Sequence, residues 1–537
     1  MCVYLSFTDY QAKYFALELI KRSSAKDVNK IASSLLDAQV DLNPHQLEAA
    51  LFAFKSPISN GVILADEVGL GKTIEAGIII SQKWAERKRK ILIVVPANLR
   101  KQWSQEISEK FFIDSIILES STFKTEISKG NLNPFNNNLI VICSYQFARK
   151  QEVYIKLVEW DLVVIDEAHR LRNVYKPSNK IANALKNVFS NRKKILLTAT
   201  PLQNSLLELY GLVSIIDEYA FGDLESFKTR YMQFKNKNVF TDLKTRLQPY
   251  CIRTLRKQVS AYIKYTKRIP ITQEFYPTES EQKLYDLVSG YLQEDELFAL
   301  PKSQRKLMTL ILRRLLASST FAISGTLHGL ANKLDEIIEK NNKLINPEQT
   351  IVDDYEMYDE LVDEWEDEEE EEEDKIYSQE EIIKIKAESE KLKTFFELAN
   401  SIVKNSKGEV LLTALKKGLE ELEKSGGARK AIIFTESTRT QKYLFELLQK
   451  TEFKDKIVLF NGSNTDHLSK LIYQDWYNRY YNTSKVTGSK TADIRAALIE
   501  YFRDTAEIMI ATEAAAEGVN LQFCSLVVNY DLPWNPQ

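Results

Sequence analysis

The sequence lacks the features that would place the protein in a membrane or in an oxidising compartment. No apolar run in its 537 residues approaches the roughly 20 residues that a membrane-spanning helix needs. The N-terminus, MCVYLSFTDYQAKYF, has neither the charged region nor the apolar region of a signal peptide. The four cysteines are isolated and form no CxxC pair, so neither a disulfide framework nor a structural zinc site is indicated. These absences favour a soluble protein of the reducing cytoplasm, without a membrane partner.

Length and charge set bounds on domain number and on the class of partner. A chain of 537 residues exceeds one hydrophobic core, so we expect roughly two to four domains. The net charge of −3 conceals an asymmetry, because sixteen acidic residues lie between Asp353 and Asp374 and leave +13 on the remainder. A mildly basic body is compatible with a polyanionic partner, and equally with a lysine-rich soluble surface.

Changes in periodicity and charge divide the chain into five segments. Residues 1–40 are predicted to form an N-terminal helical segment, and residues 41–250 a first α/β lobe with a helical protrusion from about residue 205. Residues 251–350 continue as a helical linker or protrusion. An acidic stretch, residues 351–385, is predicted to be a disordered loop, although it could also mimic nucleic acid. Residues 386–537 form a second α/β lobe.

Short apolar runs alternate with helix-length segments in both lobes. Fully apolar strands between helices predict parallel sheets that are covered on both faces, and therefore an α/β fold. The predicted strands are GVILA (61–65), ILIVVP (91–96), LIVICS (139–144), LVVID (162–166), ILLTAT (195–200), KAIIFT (430–435), KIVLFNG (456–462), IMIAT (508–512) and LVVNYD (526–531).

The stretch DEVGLGKT joins a predicted strand to a predicted helix, which is the layout of a phosphate-binding loop. Gly69 and Gly71 would let backbone N–H groups close on phosphates. Lys72 would place its charge on the β and γ phosphates, and the Thr73 hydroxyl would bind Mg²⁺. Asp66 stands where the motif GxxxxGK[ST] has glycine. The alternative is a glycine-rich turn with an incidental lysine.

Two further groups of polar residues follow predicted strands. Asp166 and Glu167 stand at the carboxyl end of LVVI, where parallel sheets place their sites. Asp166 would hold Mg²⁺ and Glu167 would polarise the attacking water; otherwise the pair only begins a helix. Thr198 and Thr200, in LLTATP, would relay the state of the phosphate site, unless they form a simple threonine-rich turn.

These motifs, in this order, resemble those of superfamily-2 helicase-like motors. The motifs that show the resemblance are ADEVGLGKT, DEAH, TATP and ATEAAAEGVNLQ. The longer sequence TATPLQNSLLELYGLV is similar to the Swi/Snf group of double-stranded-DNA translocases. Bacterial members of that group, including one that recycles stalled RNA polymerase, are the most similar. The resemblance spans about residues 42–537. It implies two RecA-like lobes that bind ATP and Mg²⁺ and move along a nucleic-acid strand.

The resemblance also implies roles for single residues. Gln46, in LNPHQ, would read the adenine edge of ATP, or merely begin an amphipathic helix. His169 would couple the nucleotide state to the threonines at 198 and 200, or serve as an ordinary hydrogen-bonding group. Arg100 and Lys101 would contact nucleic-acid phosphates, or be solvated helix charges. The full set of implied nucleic-acid contacts is Arg100, Lys101, Ser144, Thr435, Gly462, Ser463, Gly518 and Asn520.

Three stretches depart from the family pattern or stand apart from it. The sequence stops at YDLPWNPQ, before the arginine motif of the family, so we expect a truncated chain with an incomplete second lobe and weak ATP hydrolysis. Arg253, in YCIRTLRKQV, would bridge the lobes or cap a helix. Residues 464–495 form a third such stretch, with clustered aromatic residues that would stack on bases or bind a partner. Otherwise the stretch is a helix packed on the lobe. The aromatic residues are Tyr473, Trp476, Tyr477, Tyr480 and Tyr481.

The sequence therefore favours an ATP-dependent translocase on double-stranded DNA that remodels or displaces bound protein. One alternative is a motor directed at RNA or RNA polymerase. Another is a nucleotide-gated DNA-binding module with little turnover. A protein partner such as RNA polymerase or a repair or phage-defence complex is compatible with the same motifs, because a fold does not fix the pathway.

Overall fold

A computed structural model of the chain describes residues 8, 13, 42–55, 60–203, 205–233, 237–263, 268–294, 296–300, 305–340, 378–402, 404–483, 485–486, 489–512 and 519–531. The chain divides into two compact units, Met1–Thr266 and Lys267–Gln537. The predicted N-terminal helical segment lies outside the described residues apart from residues 8 and 13, as does the acidic loop up to residue 377. The predicted domain boundaries stay predictions. Among the helices described, none combines the length and the apolarity that crossing a bilayer requires.

The first unit is built on a seven-stranded parallel sheet with the strand order β3-β4-β2-β5-β6-β1-β7. The strands are β1 (Gly61–Leu64), β2 (Ile91–Val95), β3 (Ser115–Ile117), β4 (Ile140–Ser144), β5 (Leu162–Ile165), β6 (Lys194–Leu197) and β7 (Cys251–Ile252). The five strands predicted in this region are present, with small differences at their ends. The two edge strands, β3 and β7, were not predicted.

Helices of the first unit connect these strands and flank the sheet. They are α1 (Pro44–Lys55), α2 (Lys72–Ala85), α3 (Arg100–Phe111), α4 (Ser120–Ser128), α5 (Tyr145–Lys150), α6 (Glu152–Lys156), α7 (Lys180–Val188), α8 (Leu206–Ile216), α9 (Leu224–Phe227), α10 (Lys237–Leu247) and α11 (Arg256–Val259), with a 3₁₀ turn at Ala168–Leu171 and a π turn at Lys228–Met232.

The strands of the first sheet are apolar throughout because both faces of the sheet are buried. In β2, Leu92 and Val94 join the core on one face, while Ile91 and Ile93 join the core on the other. The same alternation holds along β5, where successive side chains point to opposite faces. The helices on each face exclude water from the sheet, so polar groups cluster at its carboxyl edge.

The second unit contains a four-stranded parallel sheet with the order β11-β8-β10-β9. Its strands are β8 (Ala431–Thr435), β9 (Ile457–Phe460), β10 (Ile508–Thr512) and β11 (Leu526–Asn529). Its helices are α12 (Glu279–Tyr291), α13 (Arg305–Ser318), α14 (Thr320–Lys340), α15 (Gln379–Ser401), α16 (Ser406–Lys424), α17 (Thr438–Leu448), α18 (His467–Tyr480) and α19 (Lys490–Asp504). All four predicted strands are present, and the predicted α/β class with two parallel sheets is confirmed.

A separate helical core precedes the second sheet. Helices α12, α13, α14 and α15 share one apolar cluster, and the buried carboxylate of Glu388 lies inside it. That carboxylate accepts hydrogen bonds from the Tyr291 hydroxyl at 2.7 Å, from Phe298 N at 2.8 Å and from Ala299 N at 3.1 Å. The charge is therefore satisfied by local donors, which is the condition for burying it.

The aromatic residues of the 464–495 stretch belong to a packed helix. Trp476, on α18, is buried, and Tyr473, Tyr477 and Tyr480 pack against the core of the second sheet. The Tyr480 hydroxyl donates to Glu500 Oε1 at 2.8 Å. The helix-packing interpretation is confirmed for these four side chains, whereas Tyr481 is exposed.

A steric test of this packing is available at Gly211 in α8. A Cβ added there would lie 1.9 Å from the carbonyl oxygen of Arg172, whereas one added at Gly290 in α12 meets nothing within 4 Å. We expect Gly211→Ala to lower the free energy of unfolding by about 1–3 kcal/mol, because the helix must shift. Gly290→Ala, the control, is expected to raise it by up to about 1 kcal/mol through helix propensity. Urea unfolding followed by circular dichroism measures both, and a stabilising Gly211→Ala would contradict the contact.

Candidate functional site

The loop between β1 and α2, residues 65–71, contains two glycines in the left-handed region of backbone conformation. Gly69 and Gly71 adopt φ angles of 82° and 91°, a region that disfavours any residue with a Cβ. At Gly71 an added Cβ would also lie 2.5 Å from Gln46 Nε2. Helix α2 then begins at Lys72, so its positive N-terminal end faces out of the turn. We refer to residues 65–71 as the phosphate-loop candidate.

Lys72 and Gln46 are both held against this loop. Lys72 Nζ donates to the carbonyl oxygen of Asp66 at 2.9 Å, and Gln46 Nε2 donates to the carbonyl oxygen of Leu70 at 3.0 Å. Gln46 is nearly buried, and its Oε1 accepts from Asn43 N at 3.1 Å. Gln46 therefore supports the loop in this structure, and its reading of adenine stays a prediction. Thr73, in the first turn of α2, is half-buried.

Asp66, the departure from the glycine of the usual motif, has a structural role. Its carboxylate is fully buried, and Oδ1 accepts a hydrogen bond from Thr254 N at 2.6 Å. The main chain pairs alongside, since Ala65 N donates to Ile252 O at 2.8 Å and Glu67 N donates to Thr254 O at 3.1 Å. A glycine could not accept the hydrogen bond from Thr254 N, because it has no carboxylate. Asp66 thus ties the loop to the chain that follows β7.

A second buried carboxyl, that of Glu75, lies beside Asp66. Glu75 is fully buried, and burial together with the charge of Asp66 raises its pKa to about 9, so it is neutral at pH 7. His45 completes a group whose possible ligand atoms lie within 4.8 Å of one another. Its Nε2 lies 2.9 Å from the Leu70 carbonyl and its Nδ1 3.2 Å from the Tyr262 hydroxyl, so both nitrogens are engaged. Asp66 Oδ2 and both Glu75 oxygens have no hydrogen-bond partner among the described residues, so burial and the neighbouring charge, rather than a shared proton, account for the neutral form of Glu75.

Asp166 occupies the carboxyl end of β5 and is fixed from several sides. Its Oδ2 accepts from the indole N–H of Trp103 at 2.7 Å, and its Oδ1 accepts from Glu167 N at 2.9 Å. Tyr145 donates its hydroxyl to the carbonyl oxygen of Asp166. Burial and the adjacent charge of Glu167 raise the pKa of Asp166, and the Trp103 hydrogen bond opposes that rise.

Glu167 follows in the left-handed region, at φ 50°, which an L-residue adopts only at some cost. Burial alone would raise its pKa, but His169, Lys72 and Arg170 outweigh that effect and hold the pKa below its usual value. The Nδ1 atom of His169 lies 3.2 Å from Glu167 Oε2. Glu167 is therefore the member of the pair that carries charge at neutral pH.

The loop and the two acids converge on one place. The charge of Lys72 lowers the pKa of both Asp166 and Glu167, so the ammonium group lies within electrostatic range of each. Strands β1 and β5 are separated only by β6, and parallel strands bring their carboxyl ends to the same edge. The arrangement predicted from the sequence, with loop and acids at one edge, is what the sheet produces.

A hydroxyl and a carboxylate at this edge fit Mg²⁺, a cation that prefers oxygen ligands and is usually held by one or two carboxylates plus phosphates. Each oxygen of Asp166 accepts one hydrogen bond and retains a further lone pair. The raised pKa of Asp166 beside a second acid also indicates negative charge that a cation would compensate. Thr73 and Asp166 would hold the ion.

The predicted threonines lie next to the loop strand. Thr198 is buried, its N–H donates to the carbonyl oxygen of Leu64 at 3.1 Å, and its Oγ1 accepts from Thr200 N at 3.2 Å. A second connection was not predicted. Arg172, after the DEAH motif, contacts Gln203 Oε1 and lies 3.7 Å from Glu208 Oε1, both in the segment after TATP.

Four of the predicted nucleic-acid residues, Arg100, Lys101, Ser144 and Thr435, are buried. Arg100 is nearly buried, with Nη1 3.0 Å from Glu119 Oε2, so a phosphate contact would require it to leave that carboxylate. The Ser144 hydroxyl accepts from Phe147 N at 3.3 Å and caps α5, and Thr435 Oγ1 donates to Asp531 Oδ2 at 2.8 Å. Lys101 is also nearly buried. Their nucleic-acid contacts stay predictions.

Other predicted contacts are accessible. Gly462, Ser463 and Asn520 are exposed, each on a loop of the second unit, and Gly518 lies outside the described residues. Arg253 is exposed and precedes α11, which begins at Arg256 with Leu255 as its N-cap, and both interpretations of Arg253 stay predictions. The sequence did not single out four residues of the site, although two of them lie within the quoted stretch YCIRTLRKQV: Trp103, Glu75, Thr254 and Arg256.

The neutral form of Glu75 predicts a dependence of stability on pH. With a pKa of about 9 in the folded protein and 4.5 as its ordinary value, Glu75 holds a proton that the unfolded chain releases. Stability from this group is present below pH 4.5 and declines by up to about 1.4 kcal/mol per pH unit towards pH 9. We expect Glu75→Gln to flatten this decline in urea unfolding between pH 5.5 and pH 8.5. Glu86→Gln, at the C-cap of the same helix, is the control, and unchanged slopes in Glu75→Gln would refute the buried proton.

Two family models match the chain. The model described as SNF2-related domain matches residues 13–331, and the model described as helicase conserved C-terminal domain matches residues 439–537. The first range includes the phosphate-loop candidate together with Asp166 and Glu167. The second range includes the exposed loops of the second unit.

Curated relatives give the same picture. The protein named uncharacterized ATP-dependent helicase YqhH of Bacillus subtilis is 30% identical over 500 residues, which are 92% of this chain and 70% of the relative. The RNA polymerase-associated protein RapA of Serratia proteamaculans is 32% identical over 233 residues, 41% of this chain and 23% of the relative. RapA of Proteus mirabilis is 33% identical over 237 residues, 42% of this chain and 23% of its own. The chain thus spans less than a quarter of the RapA proteins.

Among solved structures, the Sulfolobus solfataricus SWI2/SNF2 ATPase core in complex with dsDNA aligns over 93% of this chain and 83% of its own, with 16% identity and a TM-score of 0.39. The family assignment rests instead on the sequence comparisons, because the SNF2-related model covers more than half of the chain. The chain therefore belongs to the SNF2-related family and is a helicase-like ATPase of superfamily 2.

Proposed function

We propose that the chain is the motor of an ATP-driven nucleic-acid translocase that tracks double-stranded DNA and remodels or displaces bound protein. The observation that carries the proposal is that Lys72 follows β1 and that Asp166 and Glu167 follow β5 at the same edge of the first sheet, where the charge of Lys72 acts on both acids. Membership of the SNF2-related family supports it, since the Swi/Snf group that the motifs resemble consists of duplex translocases.

In the proposed reaction, the backbone of Gly69 and Gly71 and the ammonium group of Lys72 hold the β and γ phosphates of ATP. Water attacks the γ phosphorus, its proton passes towards Glu167, and the bond to the β–γ bridging oxygen breaks. The lowered pKa of Glu167 supports this role, because the carboxylate form is available at neutral pH. Mg²⁺, held by Thr73 and Asp166, would neutralise charge on the phosphates.

Coupling to nucleic acid is proposed to run from the acids to the segment after β6. His169, Thr198 and Thr200 are the predicted relay, and the amide of Thr198 is already bonded to the end of β1. The contact between Arg172 and Gln203 supports a second route between the same two segments. A change at Asp166 and Glu167 would then alter the conformation of the chain that leads into α8.

Nucleic-acid contacts are proposed to be made to the backbone. Gly462, Ser463 and Asn520 support this, because they are exposed and small or polar. Backbone contacts carry no sequence information and release counterions, so binding should be indifferent to sequence and sensitive to salt.

A second candidate function is a motor directed at RNA polymerase or RNA. The relatives named RNA polymerase-associated protein RapA favour it, since they match the chain at 32% and 33% identity. The match covers under a quarter of each relative, so the segments outside it would decide the partner.

Two substitutions test the chemistry. We expect Lys72→Ala to abolish ATP turnover and to weaken ATP binding, and Glu167→Gln to lower kcat by about 10²–10⁴ while ATP still binds. Phosphate release and calorimetric titration with ATP measure the two effects. The controls are Lys83→Ala on the same helix and Glu159→Gln, an exposed acid paired with Arg192. Full turnover in Glu167→Gln would remove its assigned role.

Stimulation by polymers tests the substrate. We expect duplex DNA to raise ATP turnover more than single-stranded DNA or RNA, and binding to weaken about tenfold between 50 and 200 mM salt for every two phosphates neutralised. Fluorescence anisotropy with labelled duplexes of unrelated sequence measures the affinity. Preferential stimulation by RNA would favour the second candidate. Binding of duplex without turnover would indicate a nucleotide-gated binding module.

A further inference from the structure

A short segment from far along the chain is bound along the phosphate-loop candidate. Residues 252–256 continue β7 beside the loop through two backbone hydrogen bonds, Ala65 N to Ile252 O at 2.8 Å and Glu67 N to Thr254 O at 3.1 Å. The Asp66 carboxylate accepts from Thr254 N at 2.6 Å, and the Glu67 carboxylate accepts from Arg256 N. The segment thus accompanies the loop residue by residue from Ala65 to Glu67.

The side chain of Arg256 extends this pairing into the glycine-rich part of the loop. Its Nε and Nη2 atoms donate to the carbonyl oxygen of Val68 at 2.9 and 2.7 Å. A Cβ added to Gly69 would lie 3.5 Å from Nη2, so the guanidinium is in contact distance of the first glycine. Two N–H groups on one oxygen fix both the position and the direction of that carbonyl.

We propose that Arg256 is a positioning residue for ATP binding. The carbonyl of Val68 and the N–H of Gly69 belong to the same planar trans peptide, so they point to opposite sides. When Arg256 holds the carbonyl on its own side, the Gly69 N–H is directed away from Arg256 and is available to a phosphate. This assignment rests on the proposed role of the loop in binding ATP.

The loop needs such an external support. Gly69 and Gly71 have no side chains to pack, and a glycine loses more conformational freedom on ordering than any other residue. Peptide rotation at 68–69 would turn the donor away from the phosphate without breaking any helix or strand. Arg256 opposes that rotation, because it would cost both hydrogen bonds to Val68.

The residue is not interchangeable with its basic neighbours. Arg253 is exposed, and Lys257 is exposed on the first turn of α11. Only a planar guanidinium presents two N–H groups in a fixed fork, whereas a lysine ammonium would reach the carbonyl as a single mobile donor. The sequence RTLRKQ therefore contains one residue with this function and two basic controls.

Steady-state ATPase assays and ATP titrations on three variants of the full chain test the proposal. We expect Arg256→Ala to raise the KM and the Kd for ATP by about tenfold or more, with kcat changed by less than about threefold. Arg256→Lys should recover part of the lost affinity, and Lys257→Ala should match the wild type. Thermal unfolding of each variant reports whether it is folded.

The outcomes are distinguishable. A purely structural anchor would lower Tm and the active fraction, and hence kcat, without changing the Kd for ATP, and this result would overturn the proposal. An unchanged KM and Kd in folded Arg256→Ala would also overturn it, while leaving the ATPase assignment intact. If the wild type itself did not bind ATP, the proposed role of the loop would fail first. If Arg256→Ala does not fold, Arg256→Lys alone decides, through its Kd for ATP relative to Lys257→Ala.

Discussion

The candidate site exists because the first sheet is parallel throughout. In such a sheet every strand delivers its carboxyl end to the same edge, while apolar side chains fill the cores on both faces. The loop after β1, the acids after β5 and the threonines after β6 therefore meet without any direct sequence signal that they are neighbours. Their chemistry follows from this enforced proximity, since Lys72 can act on Asp166 and Glu167 only across strands.

Buried charge is the cost of this arrangement, and the structure offsets it with donors from distant parts of the chain. Asp166 receives the indole N–H of Trp103, and Asp66 receives the amide of Thr254. Glu75 has its charge removed by protonation instead. In the second unit, the Asp531 carboxylate receives the hydroxyls of Ser318 and Thr435 and the ammonium group of Lys407. Hydrogen bonding, neutralisation and ion pairing thus each solve the same problem.

The strands and the loop were predictable from the sequence because their signals are local. Four- and five-residue apolar runs identify central strands, but β3 contains three residues and β7 two, too few to show a period. Gly69 and Gly71 were predictable for the same reason. The contacts of Asp66 and Arg256 were not, since their partners lie 188 residues away. The partner of Thr435 was unpredictable for the same reason, because the carboxylate that accepts its hydroxyl lies 96 residues later in the chain.

The indole of Trp103 has a mechanical consequence for helix α3. Trp103 lies one turn from the start of that helix, close in sequence to Arg100 and Lys101. The only N–H group of its side chain donates to Asp166 Oδ2 at 2.7 Å. A displacement of α3 that moves the indole therefore has to lengthen or break this hydrogen bond. The position of the first turn of α3 and the orientation of the Asp166 carboxylate are thus linked through one indole N–H.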